Sequence, residues 1–445
     1  MSLAALSAAT LPVFLTGALQ GRIAADLDVG TGAIGTAIAA FFLAASVSSV
    51  PGGRITDRIG ATAGLRLGML IATIAAVAVA LAADDRWQLT AALALGGVAV
   101  AFVDPGTARA LTATVPYRSH GAAFGIKEAS VPVASLLAGL VLPLLGAQLG
   151  WRPAFYLGAG IAVVTALLVP ARLDEVIGAA GIGPLAHDTP DGAAPGRPGG
   201  AGTASQHPDA ATGRAHHGTR DGGVAPSEET TSTSPPAGVG ARQQPPRTAA
   251  LLAGLAVAAA LAGGVAAAVA AFLVPTAQVV GLSASAAGVL LSVGSLASVI
   301  ARLGLGVMVD RRPGTELVSI TWLTATGAAG VGLLALLSAS TPGPAAGPSP
   351  LALVLLVVAG VAALGAGWGW TGLVFLAAVR LEPTRPARAA GAVLAGLGAG
   401  GSLGPALIGV IAEQAGFAPT WTVGAVLMGV AAVGVARLRR RMPVR

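Results

Sequence analysis

The sequence predicts an all-α integral membrane protein with twelve transmembrane helices in two similar six-helix halves. Of its 445 residues, 54% are hydrophobic and only 10% are charged, and the mean hydropathy is +0.79. A helix needs about 20 mainly apolar residues to cross a bilayer, and twelve runs of about that length are present. Polar features of the first half also recur in the second half, which indicates an internal repeat.

The twelve predicted spans are rich in Ala and Gly, which let transmembrane helices pack closely. They cover 4–25, 31–51, 64–83, 88–111, 120–146, 152–171, 249–277, 284–308, 315–338, 350–379, 387–412 and 418–437. The predicted units are a first half over 1–171, a linker over 172–248, a second half over 249–437 and a basic tail over 438–445.

The linker differs in composition from both halves. Gly, Pro, Ala, Ser and Thr dominate it, so it cannot bury enough apolar surface to fold, and we predict a disordered cytoplasmic segment. Four of the five histidines lie in it: His187, His207, His216 and His217. Their irregular spacing and the absence of cysteine favour an incidental polar tract over a metal site.

The arginines predict the orientation. If the N-terminus is cytoplasmic, the short inner segments hold fifteen: Arg54, Arg58, Arg66, Arg109, Arg118, Arg311, Arg312, Arg380, Arg385, Arg388, Arg437, Arg439, Arg440, Arg441 and Arg445. The outer segments hold Arg22, Arg86 and Arg152. This bias places both termini in the cytoplasm. The Ala-, Gly- and Arg-rich composition suggests a bacterial gene, so we expect a bacterial plasma membrane.

The internal repeat aligns two loops and two later spans. A shift of 253 residues places Asp57 on Asp310, and a shift of 270 residues aligns the later spans. The first shift also superposes Gly53 on Gly306 and Arg58 on Arg311, and the second superposes Arg118 on Arg388 and Trp151 on Trp421. Two similar halves joined by a linker are typical of transporters, whose substrate site lies between the halves near the membrane midplane.

The loop "GGRITDRIG" between spans two and three resembles the Gly-x-x-x-Asp-Arg-x-Gly signature of the major facilitator superfamily, and "GLGVMVDRR" repeats it between spans eight and nine. The resemblance implies that superfamily's fold and alternating access. It also implies a cytoplasmic gating role for Gly53, Asp57, Arg58, Gly60, Gly306, Asp310 and Arg311.

Physical chemistry gives the loop residues roles of their own. Gly53 permits close helix approach, Asp57 can cap a helix N-terminus or pair with an arginine, and Arg58 can bind anionic head groups. The alternative is that these charges are ordinary loop residues that set topology.

Asp104, Lys127 and Glu128 are charged residues placed inside predicted spans. Asp104 is seven residues before the end of span four, and Lys127 is seven residues after the start of span five. At 1.5 Å per residue both lie about 10 Å from the cytoplasmic edge, so an Asp104–Lys127 ion pair is possible. Glu128 is rotated about 100° from Lys127, so the two side chains are expected to point apart.

These three residues are the candidate proton-coupling or substrate-binding groups. One lysine and two carboxylates leave a surplus negative charge, and a carboxyl group without a full partner in a low-dielectric region holds a proton more readily. Glu128 or Asp104 would then carry the proton, and Lys127 would pair with it or bind an anionic substrate group. In the alternative, all three are hydrated at the cytoplasmic mouth and structural.

The remaining cavity candidates are Gln20 in span one and Trp368 and Trp370 in span ten. Two residues of separation turn the tryptophans about 200° apart, so only one can face a cavity. Arg302 in span eight lies near the cytoplasmic end and receives no role. Its repeat equivalent is Ser49, so the paired arginines of nitrate carriers in the superfamily are absent.

The sequence therefore favours a secondary active transporter, monomeric and proton-coupled, that carries a small molecule and needs no cofactor. No nucleophile–base pair or nucleotide-binding motif indicates an enzyme. The arginines form no basic face, so nucleic acid is not an expected partner. The alternatives are an efflux antiporter for drugs or metabolites and a non-transporting sensor with the same fold.

Overall fold

The computed structural model describes residues 1–115, 120–145, 150–171, 173–175, 246–312, 314–340, 348–382 and 386–441. Nearly all of them are helical. A bilayer offers no hydrogen-bond partners to the backbone, so apolar runs of this length satisfy their amides internally as helices.

Among the described residues up to Leu167, eight helices form the first half. They are α1 (Ser2–Ala18), α2 (Gln20–Leu27), α3 (Thr31–Ile59), α4 (Ala61–Ala82), α5 (Arg86–Thr114), α6 (His120–Glu128), α7 (Ser130–Leu145) and α8 (Arg152–Leu167). Predicted span one corresponds to α1 with α2, and predicted span five corresponds to α6 with α7.

The second half contains predicted spans seven to twelve. Its helices are α9 (Pro246–Val279), α10 (Ala284–Arg311), α11 (Glu316–Ala339), α12 (Pro350–Val361), α13 (Gly367–Gly369), α14 (Thr371–Leu381), α15 (Pro386–Ala415) and α16 (Phe417–Arg441). A π-helical turn, Ala362–Ala366, joins α12 to α13. Predicted span ten therefore runs from α12 through α14.

Ten segments of the described chain are long and apolar enough to cross a membrane. Helices α1 and α2, which meet at an angle of 69°, together make an eleventh. Helix α8 is apolar but has only 16 residues. The all-helical membrane fold is thus confirmed, while span six as a twelfth crossing stays a prediction.

Three predicted spans are not continuous α-helices. Span one bends by 69° at Leu19, whereas spans five and ten run through as single candidate crossings with local irregularities at Ala129, at the π turn and at Trp370. Each interruption leaves backbone groups outside the regular hydrogen-bond pattern of a helix. Such groups need other partners, and in span five and span ten a buried arginine supplies them, as described below.

The two halves pack through α3 against α15 and through α7 against α10. The Ser292 hydroxyl donates to the Leu136 carbonyl at 2.9 Å, and the Ser295 hydroxyl donates to the Ser135 hydroxyl at 2.9 Å. Close contact at the α3–α15 seam depends on glycine, because the two helices lie too near each other for a side chain to fit between them. A Cβ on Gly409 would lie 3.0 Å from the carbonyl oxygen of Thr31.

The glycine run of predicted span eleven also packs against α9 of its own half. A Cβ atom on Gly396, Gly400 or Gly404 would collide with the α9 backbone at Ala256, Ala260 or Gly264 respectively. The spacing of four residues places these glycines on one face of α15, which permits close helix crossing. The run is therefore a packing surface.

The structure moves two predicted boundaries. Helix α16 continues to Arg441, so residues 438–441 extend the last helix instead of beginning a separate tail. Residues 176–245, most of the predicted linker, lie outside the described residues. Within that prediction, Asp174 has a defined contact and α9 begins at Pro246.

Candidate functional site

The predicted Asp104–Lys127 ion pair is present. The Lys127 ammonium nitrogen lies 2.6 Å from Asp104 Oδ1, and it joins α5 to α6. The Lys127 side chain is 7% exposed, whereas the Asp104 side chain is 36% exposed. The pair therefore has a buried cation and a carboxylate with an accessible edge. The equal depth of the two residues, inferred from helix rise, is the reason that they meet.

The expectation that Lys127 and Glu128 point apart is wrong. The Lys127 ammonium lies 3.4 Å from Glu128 Oε1 as well as beside Asp104. Both side chains are long, so their termini converge although their Cα–Cβ bonds diverge around the helix. Glu128 is therefore partnered, and the surplus carboxylate inferred from three residues does not exist in this arrangement.

Arg302 is the residue that sequence reasoning missed. Its guanidinium lies 3.9 Å from Glu128 Oε2, is 1% exposed, and comes from α10 in the other half. It also donates a short hydrogen bond from Nη1 to the Glu128 carbonyl oxygen. From Nε and Nη2 it donates to the Trp368 carbonyl oxygen, at 3.2 and 2.9 Å.

The two carbonyls that Arg302 contacts lie at helix interruptions. Glu128 is the last residue of α6, and Trp368 lies in the three-residue helix α13, just before the break at Trp370. The carbonyl groups at a helix end lack intrahelical donors and must bond elsewhere. The planar fork of an arginine carries five N–H donors and can serve several acceptors at once. Arg302 thus joins spans five and ten.

The complete group, called the charge cluster below, consists of Asp104, Lys127, Glu128 and Arg302. Two cations face two carboxylates, so the fully ionised cluster has no net charge. Placing a single charge at the centre of a bilayer costs about 2.5–3.5 kcal/mol on insertion scales, and such charges face the bundle interior and pair. Three of the four side chains are less than one-fifth exposed.

Aromatic rings cover one side of the charge cluster. The Trp368 ring centre is 5.8 Å from the Arg302 guanidinium carbon, within the range of a cation–π contact. Phe14 of α1 meets the Trp368 ring edge-on with centroids 5.7 Å apart. Trp370 is turned away and its indole donates to the Gly367 carbonyl at 2.6 Å. One tryptophan of the pair therefore faces the cluster, in keeping with their angular separation.

Gln20 lies apart from the charge cluster, at the start of α2 beyond the bend of span one. Its side chain is buried, and its Oε1 atom has no hydrogen-bond partner among the described residues. Gln20 does not line either of the two cavities described in this structure. Its proposed place in a cavity stays a prediction.

A cavity of about 260 Å³ lies beside Arg302. Its lining is mainly apolar, with Leu305, Leu373, Phe375 and Leu376 among the contributors. The polar lining residues are Arg302, Asp310 and Arg380, and Arg380 is ion-paired with Glu316. The cavity lies between α6, α10, α14 and α15, so both halves form it.

The first copy of the loop motif holds its own half together. Gly60 has φ +89°, a conformation that glycine adopts readily, and a Cβ there would lie 2.9 Å from the Asp174 carboxylate. Asp174 accepts hydrogen bonds from the Ala61 amide at 2.6 Å and the Thr62 amide at 3.2 Å. It therefore caps α4.

The close helix approach predicted at Gly53 occurs at the neighbouring residue, Gly52. A Cβ on Gly52 would lie 2.7 Å from the Ala101 carbonyl oxygen, whereas one on Gly53 would meet Pro105 at an ordinary 3.9 Å. The close contact joins α3 to α5 and lies one residue earlier than predicted. Asp57 and Arg58 lie in the last turn of α3, and their gating role stays a prediction.

The second copy of the loop motif reaches across to the first half. Asp310 Oδ2 accepts a hydrogen bond from the Ala122 amide at 3.0 Å, in the first turn of α6. Near it, a Cβ on Gly125 would lie 2.9 Å from the Arg302 carbonyl oxygen and 3.8 Å from the Gly306 Cα. Arg311 is exposed at the end of α10. Asp310 therefore caps a helix of the other half.

The chain belongs to the Major Facilitator Superfamily, whose sequence profile matches residues 1–360. It is thus a multi-pass membrane protein of a transporter family. An uncharacterized MFS-type transporter of Mycobacterium tuberculosis, Rv1250, is 28% identical over 153 residues. That alignment covers 34% of this chain and 26% of the relative, so the chain matches about a quarter of the relative's length.

Two solved structures share the fold. A point mutant of the nucleoside transporter NupG superposes with a TM-score of 0.62 and 15% identity, over 98% of this chain and 99% of that one. A bacterial homologue of the human lysosomal transporter Spinster, inward-facing and occupied, superposes with a TM-score of 0.61 and 15% identity. That match covers 99% of this chain and 96% of the homologue.

Proposed function

We propose that this protein is a proton-coupled secondary active transporter that moves a small molecule across the bacterial plasma membrane by alternating access. The observation that carries the proposal is the charge cluster, which joins Asp104, Lys127 and Glu128 of one half to Arg302 of the other. A buried ionic network between two halves gives the protein a set of contacts whose strength depends on protonation.

The coupling step follows from the charge balance. With both carboxylates ionised, the two cations are fully compensated. Protonation of Glu128 removes the charge that faces both Lys127 and Arg302, and so weakens the only carboxylate link in the cluster between the halves. Asp104, with its accessible edge, is the second carboxyl group that can take up the proton. Separation of the halves would then become easier.

The same balance favours a substrate with an anionic group. A cluster that has gained one proton has two cations and one carboxylate, and an uncompensated buried charge is costly. An anionic group entering beside Arg302 would restore neutrality. The adjoining cavity is lined by Leu305, Leu373 and Phe375, which would accommodate an apolar remainder of the molecule.

The remaining parts of the proposal concern orientation and partners. The arginine bias places both termini and the loop motif on the cytoplasmic side. The chain acts as a monomer in the lipid bilayer, uses the proton gradient as its energy source, and requires no cofactor, metal or nucleic acid. Transport, not covalent chemistry, is its activity.

The decisive experiment measures uptake and efflux in proteoliposomes with a panel of organic anions, neutral metabolites and cations. A pH gradient is imposed in either direction. We expect an organic anion to accumulate against its gradient when the pH difference favours entry of a proton with it. Accumulation driven by proton exit would instead favour the efflux antiporter. Absence of flux under every gradient would favour the non-transporting sensor.

Two neutral variants test the coupling groups. Glu128→Gln and Asp104→Asn keep the side-chain shapes, and at least one should lose pH-driven accumulation while retaining substrate exchange between the two sides. Glu175→Gln removes an exposed carboxylate outside the charge cluster and serves as the control. Full pH-driven transport by both cluster variants, normally inserted, would contradict proton coupling at this site.

A further inference from the structure

A second link between the halves lies on the face of the bundle opposite the loop motif. Glu413, near the end of α15, accepts a hydrogen bond through Oε2 from the Gly32 amide at 2.6 Å. Gly32 lies in the first turn of α3, so a carboxylate of the second half caps a helix of the first.

Two glycines at the α3 N-terminus, Gly30 and Gly32, leave space for the Glu413 carboxylate. A Cβ on Gly32 would lie 2.6 Å from Glu413 Oε2, and a Cβ on Gly30 would also collide with the Glu413 carboxyl group. Such distances are shorter than side-chain contacts allow. A side chain at either position would displace the Glu413 carboxylate from its present place at the α3 N-terminus.

The capped end continues into a close helix seam. A Cβ on Gly35 would lie 3.2 Å from the Gly409 Cα and 3.3 Å from the Phe272 ring. Beside this seam is an open cavity of about 680 Å³, lined by residues of both halves that include Thr36, Arg86, Trp87, Glu413 and Gln414. The Glu413 contact lies between the cavity and the seam.

We infer that Glu413, with Gly30 and Gly32, is a latch that holds α3 and α15 together on this face of the helix bundle. The latch must release when the cavity between the halves deepens toward the middle of the bundle. An exposed carboxylate that accepts one bond from a backbone amide is suited to reversible opening, because water can replace the lost bond. The role in a transport cycle rests on the proposed function, while the latch itself does not.

Spin-label distances test the latch without a substrate. The chain has no cysteine, so Arg86→Cys and Gln414→Cys place labels on the two halves across the cavity. We compare the parent pair with Glu413→Ala, Glu413→Gln and Gly32→Ala added singly. Asp28→Asn, a charge-matched change in a residue of the same cavity lining, is the control.

Loss of the latch should increase the ratio of the long-distance to the short-distance population about fivefold, the change expected for loss of one capping bond. Glu413→Ala and Gly32→Ala should act alike, and the control should match the parent. Unchanged distances in Glu413→Ala would overturn the latch even if Gly32→Ala does not fold. A distance shift in a protein that transports nothing would keep the latch and contradict the proposed function.

Discussion

The charge cluster in the interior and the carboxylate caps at the two faces join the same two halves in different ways. Inside, Arg302 makes several contacts at once, with the Glu128 carboxylate and with the Glu128 and Trp368 carbonyls. At the faces, Asp310 and Glu413 each accept one bond from a backbone amide of the opposite half. The interior link therefore consists of several contacts of buried cations, whereas each cap is a single hydrogen bond.

This difference separates two tasks of an alternating-access protein. Removing one partner of a buried ionic network leaves an uncompensated charge, so the interior is sensitive to any change of charge. A capping bond at a helix end is worth about 0.5–2 kcal/mol and is readily replaced by water. The interior is suited to sensing a proton or an anion, and the caps are suited to opening and closing.

The largest effect is expected from Arg302→Met. The change leaves two carboxylates with one lysine and removes the donor to two helix-end carbonyls, so the free energy of unfolding should fall by about 3–5 kcal/mol. Thermal unfolding in detergent, followed by tryptophan fluorescence, measures it, and transport should be lost. Arg302→Lys should restore part of the stability because it keeps the charge but lacks the planar fork.

The control for Arg302 is Arg312→Met, which removes an exposed arginine at the end of the same helix. It should change stability by less than about 0.5 kcal/mol. Equal melting temperatures for Arg302→Met and the control would show that the interior contacts contribute no more than a surface residue. The contrast between interior and faces would then be wrong.

An intermediate effect is expected from Asp310→Asn. The amide keeps a hydrogen-bond acceptor but loses the negative charge at the N-terminus of α6, which should weaken the cap by about 0.3–1 kcal/mol. The cavity beside Arg302 should open more often on this face. A single cysteine in its lining, Leu376→Cys, should react about two to five times faster with a polar thiol reagent.

The matched variant for Asp310 is Arg312→Gln, which changes a neighbouring exposed charge at the C-cap of α10 and keeps the backbone bond from the Arg312 amide to the Met308 carbonyl. Its labelling rate should equal that of the parent. A labelling rate in Asp310→Asn no higher than in Arg312→Gln would remove Asp310 from the gating contacts.

The smallest effect on transport is expected from Asp174→Ala. Asp174 caps α4 within its own half, so its loss should lower the free energy of unfolding by about 0.5–2 kcal/mol and leave the opening of the halves unchanged. Asp174→Asn retains an acceptor oxygen and should recover most of that stability. Thermal unfolding and thiol labelling of Leu376→Cys measure the two parts. A labelling change as large as that of Asp310→Asn would place Asp174 among the interhalf contacts.

Several features could be predicted from the sequence because they depend on local pattern and helix rise. The apolar runs predicted the spans, and equal depth along antiparallel helices predicted the Asp104–Lys127 pair. The 200° separation of Trp368 and Trp370 predicted that only one of them can face a cavity; both are buried, Trp368 lies beside Arg302, and neither lines the two cavities described above. Gly60, Asp57 and Asp310 were identified from the loop motif and its second copy. The motif alone did not predict that Asp310 contacts the opposite half.

The contacts of Arg302 and Asp174 were missed because each depends on segments far apart in the chain. Arg302 was taken for a residue near the end of its span, and nothing in the sequence around it marks a buried guanidinium. The sequence signal for its contact was Pro132, four residues after Glu128, which has no amide hydrogen and so leaves the Glu128 carbonyl without its helical donor. Asp174 was assigned to the linker, whose composition obscures a single capping residue.

The sequence by itself determined the apolar helices, the two similar halves and the matching positions of Asp104 and Lys127 along their helices, because these follow from hydropathy, spacing and a fixed rise per residue. Only the tertiary structure decided that Glu128 is partnered, that Arg302 completes a neutral cluster, and that Asp310 and Glu413 cap helices of the opposite half. Long side chains bend toward charge, and helix ends accept whichever group the fold brings near, so residue spacing along one helix cannot specify these partners.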